Sequence, residues 1–423
     1  MSENRKIKVL TISDHPLLPS GVGTQTKYMI QALLDSGNFE VLSLGGAVSH
    51  PDYTPAKTPD YGDDWVIVPV DGYSDPEHLR GHVLGWKPDI VWFMTDPRFY
   101  EWLWQMEDEL RENVPLVYYH VWDNYPYPTY NDRFYKSNDL IVTISKVTSD
   151  IVQTVAPDVP EIYLPHAVPP DMFNKLEATH EKQMLKELRK RQGLENKFVF
   201  FFNSRNARRK QTGSLLFWYK DFVEKVGKDK TCLLMHTDVN DPHGQPLEFL
   251  TNHLGLGTGQ VMFSKDKLPS DQMRNLYNLA DCTLCISDAE GFGLSANESL
   301  ACGTPVIATR TGGLQEQVDD GKNHFGVCID PASRAVIGSL QVPWIYEDRL
   351  NGEDVVEAML KMYNMSSDDR EELGRLGMKH IDKNYNFENM RNKWVEIMEN
   401  VYKENGSWDT RKNHKNRWEF LEI

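Results

Sequence analysis

Long hydrophobic runs and cysteines are scarce in this 423-residue sequence. No stretch approaches the ~18 consecutive apolar residues of a membrane-spanning helix, and the start, MSENRKIKVLTIS, has only a short apolar run after its charges. We therefore expect neither a transmembrane segment nor a signal peptide. The five cysteines are an odd number at unpatterned spacing, which favours reduced thiols and a cytoplasmic protein.

Basic residues are also in deficit, since 46 lysines and arginines stand against 62 acidic residues and give a net charge of −16. The deficit is concentrated in residues 1–175, where 13 basic residues stand against 25 acidic ones. A surface this acidic repels polyanions, so a nucleic acid or an anionic membrane is an unfavourable partner for this half. A small or neutral binding partner is more compatible with it.

Two successive series of strands and helices predict the fold. The first series begins with the strand IKVLTIS and the glycine-initiated helix GVGTQTKYMIQALLDSG. After the proline-rich linker EIYLPHAVPPDMF, a second series begins with the strand KFVFFFNS. Continuous apolar strands separated by helices are typical of parallel sheets covered on both faces, so each series predicts a doubly wound α/β domain.

We predict three parts of the chain. Residues 1–168 form an N-terminal Rossmann-like domain, residues 169–380 form a second Rossmann-like domain, and residues 381–423 form a C-terminal helical segment that packs back toward the first domain. Open α/β sheets bind ligands at the carboxyl ends of their strands, so two such domains facing each other would enclose an interdomain cleft. We expect the reactive side chains to line this cleft.

Glycine and basic residues follow two of the predicted strands. Gly21 and Gly23 open the first helix, where glycine lets a substrate approach the backbone and the helix N–H groups. A plain strand-to-helix turn explains these glycines equally well. In FNSRNARRKQTG, Arg205 and Lys210 suit a diphosphate, with arginine as a fork and lysine as a point charge. The alternative for this loop is a solvated basic turn.

Two carboxylates flank a glycine-containing turn in DAEGFGLSANESLACG. Glu290 precedes the turn, and Glu298 lies in the predicted helix after it. The turn consists of Gly291, Phe292, Gly293 and Leu294. Glycines at a helix entry expose N–H donors to an anion or a sugar hydroxyl, and a carboxylate accepts hydrogen bonds from hydroxyls. Alternatively, Glu290 is an ordinary loop carboxylate and Glu298 compensates the helix dipole.

A histidine and several aromatic residues follow another strand in VPLVYYHVWDNYPYPTY. His120 stands at the end of the strand, where it could bind a hydroxyl or move a proton. A structural histidine with satisfied hydrogen bonds fits the same position. The neighbouring aromatic faces suit sugar rings, or they fill a core. These neighbours are Trp122, Tyr125, Tyr127 and Tyr130.

Together these motifs resemble the retaining, nucleotide-sugar-dependent glycosyltransferases of the GT-B fold, a family that includes sucrose-phosphate synthase and many bacterial mannosyltransferases. The resemblance covers nearly the whole chain. Its most specific part is EGFGLSANESLACGTPVIATRTGG, which looks like the E-x7-E signature of the family. The resemblance implies that residues 1–168 face the acceptor and that residues 169–380 bind the donor.

The resemblance also implies roles for individual residues. The expected catalytic residues are Glu290, Arg205, Lys210 and His120. The expected donor-binding residues are Gly291, Phe292, Gly293, Leu294, Glu298 and Lys265, and the expected acceptor-side residues are Gly21, Gly23, Trp122 and Asp123. In these roles Glu290 contacts donor-sugar hydroxyls, Glu298 contacts the ribose, and Lys265 falls near the base. Arg205 and Lys210 match the R-x4-K pattern that clamps the diphosphate.

The implied activity is retaining transfer of a sugar from a UDP- or GDP-sugar to a hydroxyl of a small or neutral acceptor, without a cofactor. No D-x-D motif occurs in the sequence, so a metal ion is not invoked. The alternatives are a nucleotide-sugar epimerase and a non-catalytic nucleotide-sugar-binding protein on the same fold. Glycosylation of modified DNA bases is a further alternative, which the acidic first half disfavours.

Overall fold

The computed structural model of this protein divides into two units. Each unit contains one large, mostly parallel sheet. The structure describes residues 5–123, 125, 127–257, 259–264, 267–412 and 414. Unit 1 comprises Met1–His166, Gly338–Pro343 and Glu388–Ile423, and unit 2 comprises Ala167–Ile337 and Trp344–Phe387. Within the described ranges, no helix is both long and apolar enough to cross a membrane.

Unit 1 is built on an eight-stranded sheet. Its strands are β1 (Ile7–Asp14), β2 (Phe39–Gly46), β3 (Ala56–Lys57), β4 (Trp65–Pro69), β5 (Ile90–Met94), β6 (Leu116–His120), β7 (Leu140–Thr143) and β8 (Glu161–Tyr163). They lie in the order β3-β4-β2-β1-β5-β6-β7-β8, and all pairs are parallel except β3 with β4. The helices are α1 (Gly21–Asp35), α2 (Pro76–Trp86), α3 (Glu101–Gln105), α4 (Glu107–Arg111), α5 (Asp132–Lys136) and α6 (Lys146–Val155).

The junction of β1 and α1 shows why glycine is needed in the first loop. The Ser20 Oγ accepts a hydrogen bond from the Gly23 N–H at 2.8 Å and donates one to Asp14 at 2.7 Å. A Cβ atom at residue 23 would lie 2.8 Å from the carbonyl oxygen of His15, so the turn closes only around a glycine. The glycine turn and helix predicted at Gly21 and Gly23 are confirmed.

Unit 2 is built on a six-stranded parallel sheet in the order β11-β10-β9-β12-β13-β14, and β15 pairs with β16 as an antiparallel hairpin. The strands are β9 (Phe198–Asn203), β10 (Thr231–His236), β11 (Val261–Ser264), β12 (Cys282–Cys285), β13 (Val306–Thr309), β14 (Gly326–Ile329), β15 (Ser333–Ile337) and β16 (Ile345–Arg349). The helices are α7 (Thr179–Arg191), α8 (Thr212–Val226), α9 (Leu247–His253), α10 (Ser270–Leu279), α11 (Leu294–Ala301), α12 (Gly312–Val318), α13 (Gly352–Asn364) and α14 (Ser367–Asn384).

The central strand β9 carries apolar side chains to both faces of the unit 2 sheet. Phe200 and Phe202 pack in one core cluster, whereas Val199 and Phe201 pack in another cluster that includes Tyr277 of α10. Successive residues of a strand point to opposite faces, so a continuous apolar run requires cover on both sides. This arrangement confirms the predicted doubly wound sheet.

The strand order of unit 2 brings two loops together. β9 lies between β10 and β12, so the chain leaves β9 toward one edge of the sheet and later returns to form β12 on its other side. The loops that follow β9 and β12 therefore start from adjacent strand ends. This is the topological switch point at which open α/β sheets bind ligands.

The last helix, α15 (Phe387–Asn405), belongs to unit 1 from Glu388 onward. Its Trp394 is buried, with ring centroids 4.8 Å from Tyr119 and 5.9 Å from Trp92. Beyond the helix, the Ser407 Oγ donates a hydrogen bond to the buried carboxylate of Asp89 at 2.5 Å. Trp394 and Ser407 therefore help to complete the core of unit 1.

Candidate active site

Two loops at the switch point of unit 2 are joined through their backbones. The Asp288 N–H, after β12, donates a hydrogen bond to the Arg209 carbonyl, after β9, at 2.8 Å. The Gly313 N–H of α12 donates to the Glu290 carbonyl at 3.0 Å. The Arg209 guanidinium also donates to the Ala289 carbonyl at 2.7 Å. Because the main chains are tied in this way, the side chains of the two loops hold a fixed relation.

Glu290 is the acidic centre of this site. Its carboxylate accepts hydrogen bonds from the Lys210 ammonium, from Arg209 at 3.4 Å and from the Ser287 hydroxyl at 3.2 Å. Its side chain is 17% exposed. Burial raises the pKa of Glu290, but the charges of Lys210 and Arg209 outweigh burial and bring the pKa down to about 2. The carboxylate is therefore ionised at any physiological pH.

Lys210 forms the other half of the pair, with a side chain that is only 13% exposed. Burial lowers the pKa of Lys210, and the Glu290 carboxylate acts in the opposite direction. A buried charge without a counter-charge is strongly unfavourable, so either residue alone would destabilise the site. The pair therefore places two opposite charges side by side, and a polar ligand could form hydrogen bonds to either of them.

The basic turn after β9 has a constrained backbone. Arg208–Lys210 form a single 3₁₀ turn, and Gln211 follows in the left-handed region with φ = 59°. This conformation is unusual for a residue with a side chain. The Gln211 amide donates a hydrogen bond to the Asp288 carboxylate at 2.5 Å, which holds the left-handed residue in place. Burial raises the pKa of Asp288 to about 6.

Arg205, the other predicted clamp residue, lies in a different contact. Its guanidinium donates to the Asp241 carboxylate at 2.5 and 3.2 Å and lies 2.9 Å from the His243 ring. The side chain is 60% exposed. In this structure, therefore, Lys210 and Arg209 contact Glu290, whereas Arg205 is held by Asp241.

Glu298, in α11, ends a chain of three buried or half-buried polar groups. The Asn203 amide at the end of β9 donates to the Tyr277 hydroxyl at 2.7 Å, and that hydroxyl donates to the Glu298 carboxylate at 2.6 Å. Burial raises the pKa of Glu298 to about 7, although the hydrogen bond from Tyr277 lowers it. This carboxyl group therefore changes its charge near neutral pH.

The glycine turn between the two acids packs closely against α12. Gly293 has φ = 93° and immediately precedes α11, a conformation that favours glycine. A Cβ atom at residue 313 would lie 2.6 Å from the Gly291 carbonyl oxygen, so glycine is also needed there. The side chain of Phe292 is buried, and its carbonyl accepts a hydrogen bond from Gln317 at 2.6 Å. Within the predicted turn, the Phe292 side chain thus packs in the interior, and Leu294 is the first residue of α11.

In unit 1, His120 is fully buried at the end of β6. Its Nε2 lies 2.8 Å from the Tyr135 hydroxyl, and burial lowers the pKa of His120 to about 3. Its other ring nitrogen, Nδ1, is buried and has no hydrogen-bond partner among the described residues, so only one of the two nitrogens is satisfied as the structural alternative requires. Trp122 is buried and its carbonyl accepts a hydrogen bond from Thr148 at 2.6 Å, whereas Asp123 is half-buried. The predicted base-binding residue Lys265 lies outside the described residues.

Three polar residues of the unit 2 site were not among the predicted ones. Arg209 contacts Glu290, and Tyr277 with Asn203 orients Glu298. Arg209 stands beside Lys210 in the sequence, so the basic turn itself was a signal for it. Tyr277 is separated from Glu298 by 21 positions, and only the packing of α10 against α11 brings them together.

Comparison with known proteins gives a family match for part of the chain. The family described as Glycosyl transferases group 1 matches residues 182–341. A D-inositol 3-phosphate glycosyltransferase from Acidothermus cellulolyticus is 35% identical over 122 residues, which are 26% of this chain and 27% of the relative. Another, from Corynebacterium jeikeium, is 43% identical over 84 residues, 20% of this chain and 19% of the relative. The matches thus span about a quarter or less of these relatives.

Solved structures match almost the whole chain. Sucrose-phosphate synthase from Thermosynechococcus elongatus has a TM-score of 0.75 over 94% of this chain and 100% of its own, at 14% identity. Anabaena HepE in complex with UDP and glucose has a TM-score of 0.68 over 93% of this chain and 100% of its own, also at 14% identity. Likeness at this identity defines the fold. Residues 182–341 therefore match the glycosyl transferases group 1 family, and the chain as a whole has the GT-B fold.

Proposed function

We propose that this protein is a retaining glycosyltransferase that moves a sugar from a nucleoside-diphosphate sugar to an acceptor hydroxyl without a metal ion. The observation that carries the proposal is the largely buried Lys210 and Glu290 pair at the switch point of unit 2, followed in the same segment by Glu298 of α11. The names of the relatives support it, since they are D-inositol 3-phosphate glycosyltransferases. The UDP complexes of Anabaena HepE favour a UDP-sugar, and a GDP-sugar is the other candidate.

The charges of the site suit such a donor. In the proposed complex the diphosphate takes the Lys210 ammonium as its partner, and Arg205 turns from Asp241 to the same phosphates. Glu290 is then released to accept hydrogen bonds from the donor-sugar hydroxyls, and Glu298 accepts them from the ribose. Lys210, Arg205 and Glu298 thus each exchange an internal partner for a ligand group of the same charge type. Glu290 exchanges an ammonium for neutral hydroxyls, and Arg209 remains as its counter-charge.

Positive groups beside the diphosphate would also drive the reaction. As the bond between the sugar and the diphosphate breaks, negative charge accumulates on the leaving group, and Lys210 and Arg205 stabilise it. The acceptor oxygen forms its bond to the sugar on the face that the diphosphate leaves. A phosphate oxygen of the leaving group takes the proton of the acceptor hydroxyl. Retention then needs no protein nucleophile.

The first prediction concerns the reaction itself. Purified protein incubated with UDP- and GDP-sugars and a panel of hydroxyl acceptors should release nucleoside diphosphate and form a glycoside with the anomeric configuration of the donor, and EDTA should not stop it. Nuclear magnetic resonance of the product reports the configuration. Isomerisation of the donor without an acceptor would instead identify an epimerase. Binding without turnover would identify a non-catalytic protein, and an inverted product would contradict retention.

The second prediction concerns Glu290. Glu290→Gln should lower kcat/KM by roughly 100-fold, because a neutral amide accepts hydrogen bonds from the sugar hydroxyls more weakly than a carboxylate and no longer holds the Lys210 ammonium in place before the donor binds. Steady-state kinetics with the active donor measures the effect. Glu224→Gln is the matched control, since it makes the same change in an exposed ion pair with Lys220 of α8. Equal activity of the two variants would remove Glu290 from the mechanism.

The third prediction concerns pH. Ribose hydroxyls would donate to the ionised form of Glu298, and its pKa is raised to about 7, so donor affinity should increase as pH rises through this value. Tyr277→Phe removes a hydrogen bond that lowers the pKa, so the midpoint should move to higher pH. Titration calorimetry with the nucleotide sugar across pH measures both midpoints.

The control for this titration is Tyr219→Phe, which removes another buried hydroxyl of unit 2, 3.4 Å from Thr231. Its midpoint should match that of the wild type. A midpoint that Tyr277→Phe leaves unchanged would show that Glu298 does not control donor binding.

A further inference from the structure

The hairpin of β15 and β16 is joined to the loops of the candidate active site. The Asp348 N–H of β16 donates a hydrogen bond to the Asp288 carbonyl at 2.9 Å. The Asp288 N–H in turn donates to the Arg209 carbonyl at 2.8 Å. Three segments far apart in the sequence are thus joined by two backbone hydrogen bonds, with the loop after β12 in the middle. The hairpin is therefore a structural neighbour of the basic turn.

Glu347, also in β16, makes a second connection to the same turn. Its carboxylate pairs with the Arg208 guanidinium at 2.5 and 3.0 Å and with Arg349 at 2.6 Å. The Glu347 side chain is 3% exposed, whereas that of Arg208 is 64% exposed. A buried carboxylate needs charged partners, and the flexible arginine is the partner that moves to meet it. Glu347 therefore fixes Arg208 rather than the reverse.

The basic turn is consequently held from both ends. Arg208 begins the 3₁₀ turn and is tied to Glu347, and Lys210 ends the turn and is paired with Glu290. Only Arg209 lies between them, and Gln211 follows with positive φ. In a segment this short, a displacement of the first residue is transmitted to the third. Loss of the Glu347 contact should therefore loosen the placement of the Lys210 ammonium.

We propose that Glu347 is a positioning residue of the donor site, which holds Arg208 so that Arg209 and Lys210 face Glu290. The proposal rests on the proposed function, because it assigns the basic turn to the donor diphosphate. Glu347 itself contacts arginines rather than the donor. Through this one side chain, β16 helps to preorganise the diphosphate site.

The test compares Glu347→Gln with the wild type in binding of UDP and GDP by titration calorimetry. Loss of one charge-assisted contact should raise the dissociation constant by about tenfold, and KM for the donor should rise more than kcat falls. Arg334→Gln is the control. It removes a 2.8 Å ion pair with Asp348 in the same hairpin, and the Arg334 side chain is about half exposed. The control should bind the nucleotide as the wild type does.

Two further measurements show whether Glu347 acts through the turn. Adding Arg208→Gln to Glu347→Gln should weaken binding no further than the single change, because both remove the same contact. Amide hydrogen exchange of the peptide spanning 205–212 should rise in Glu347→Gln and stay unchanged in Arg334→Gln. Arg208→Gln alone should also raise hydrogen exchange at 205–212. Because the Arg208 side chain is exposed, this variant should fold even if Glu347→Gln folds poorly, and it tests the same contact.

The outcomes separate this proposal from the proposed function. The positioning role is overturned if hydrogen exchange at 205–212 is unchanged in Glu347→Gln. It is also overturned if exchange there is faster but the affinity for the nucleotide is unchanged. If the wild type binds neither UDP nor GDP, both the proposed function and the positioning role at a donor site are contradicted. Wild-type binding that Glu347→Gln leaves unaffected overturns the positioning role alone.

Discussion

The buried ion pair of Lys210 and Glu290 is the constraint on which the rest of the site depends. Both side chains are largely buried, so neither charge is stable without a counter-charge. The loops after β9 and β12 must therefore keep their relative positions for the pair to form. The strand order of unit 2 makes this possible, because β9 and β12 are adjacent although about 80 residues separate the paired side chains. Fold and electrostatics thus specify the same geometry.

The surrounding contacts keep that geometry fixed. Backbone hydrogen bonds join the Arg209, Asp288 and Asp348 segments, and close glycine packing at Gly313 seats the turn after Glu290 against α12. Because these contacts fix the backbone before a ligand enters, only the side chains of Lys210, Glu290 and Arg205 have to exchange partners, and prepositioned charges of this kind are the general basis of electrostatic catalysis. A diphosphate that takes Lys210 as its partner would free Glu290 for hydroxyl groups.

The sequence predicted the two doubly wound sheets and the loops that carry Lys210 and Glu290, because apolar strand runs, glycine turns and charges are local signals. It could not predict that Arg205 pairs with Asp241, nor that Glu347 reaches Arg208, since these partners lie 36 and 139 positions apart and meet only through tertiary packing. The burial of His120 could not be predicted either, because the sequence left this residue open between catalysis and structure, and only the structure shows that it is fully buried with one ring nitrogen beside the Tyr135 hydroxyl. The roles of individual residues in catalysis stay predictions.

The most direct test of the account is a crystal structure with the bound nucleoside diphosphate. The account predicts that a phosphate oxygen lies within hydrogen-bond distance of the Lys210 ammonium, that the Glu290 carboxylate has left this ammonium, and that the ribose lies against Glu298. A nucleotide bound elsewhere, with the pair of Lys210 and Glu290 intact, would contradict it.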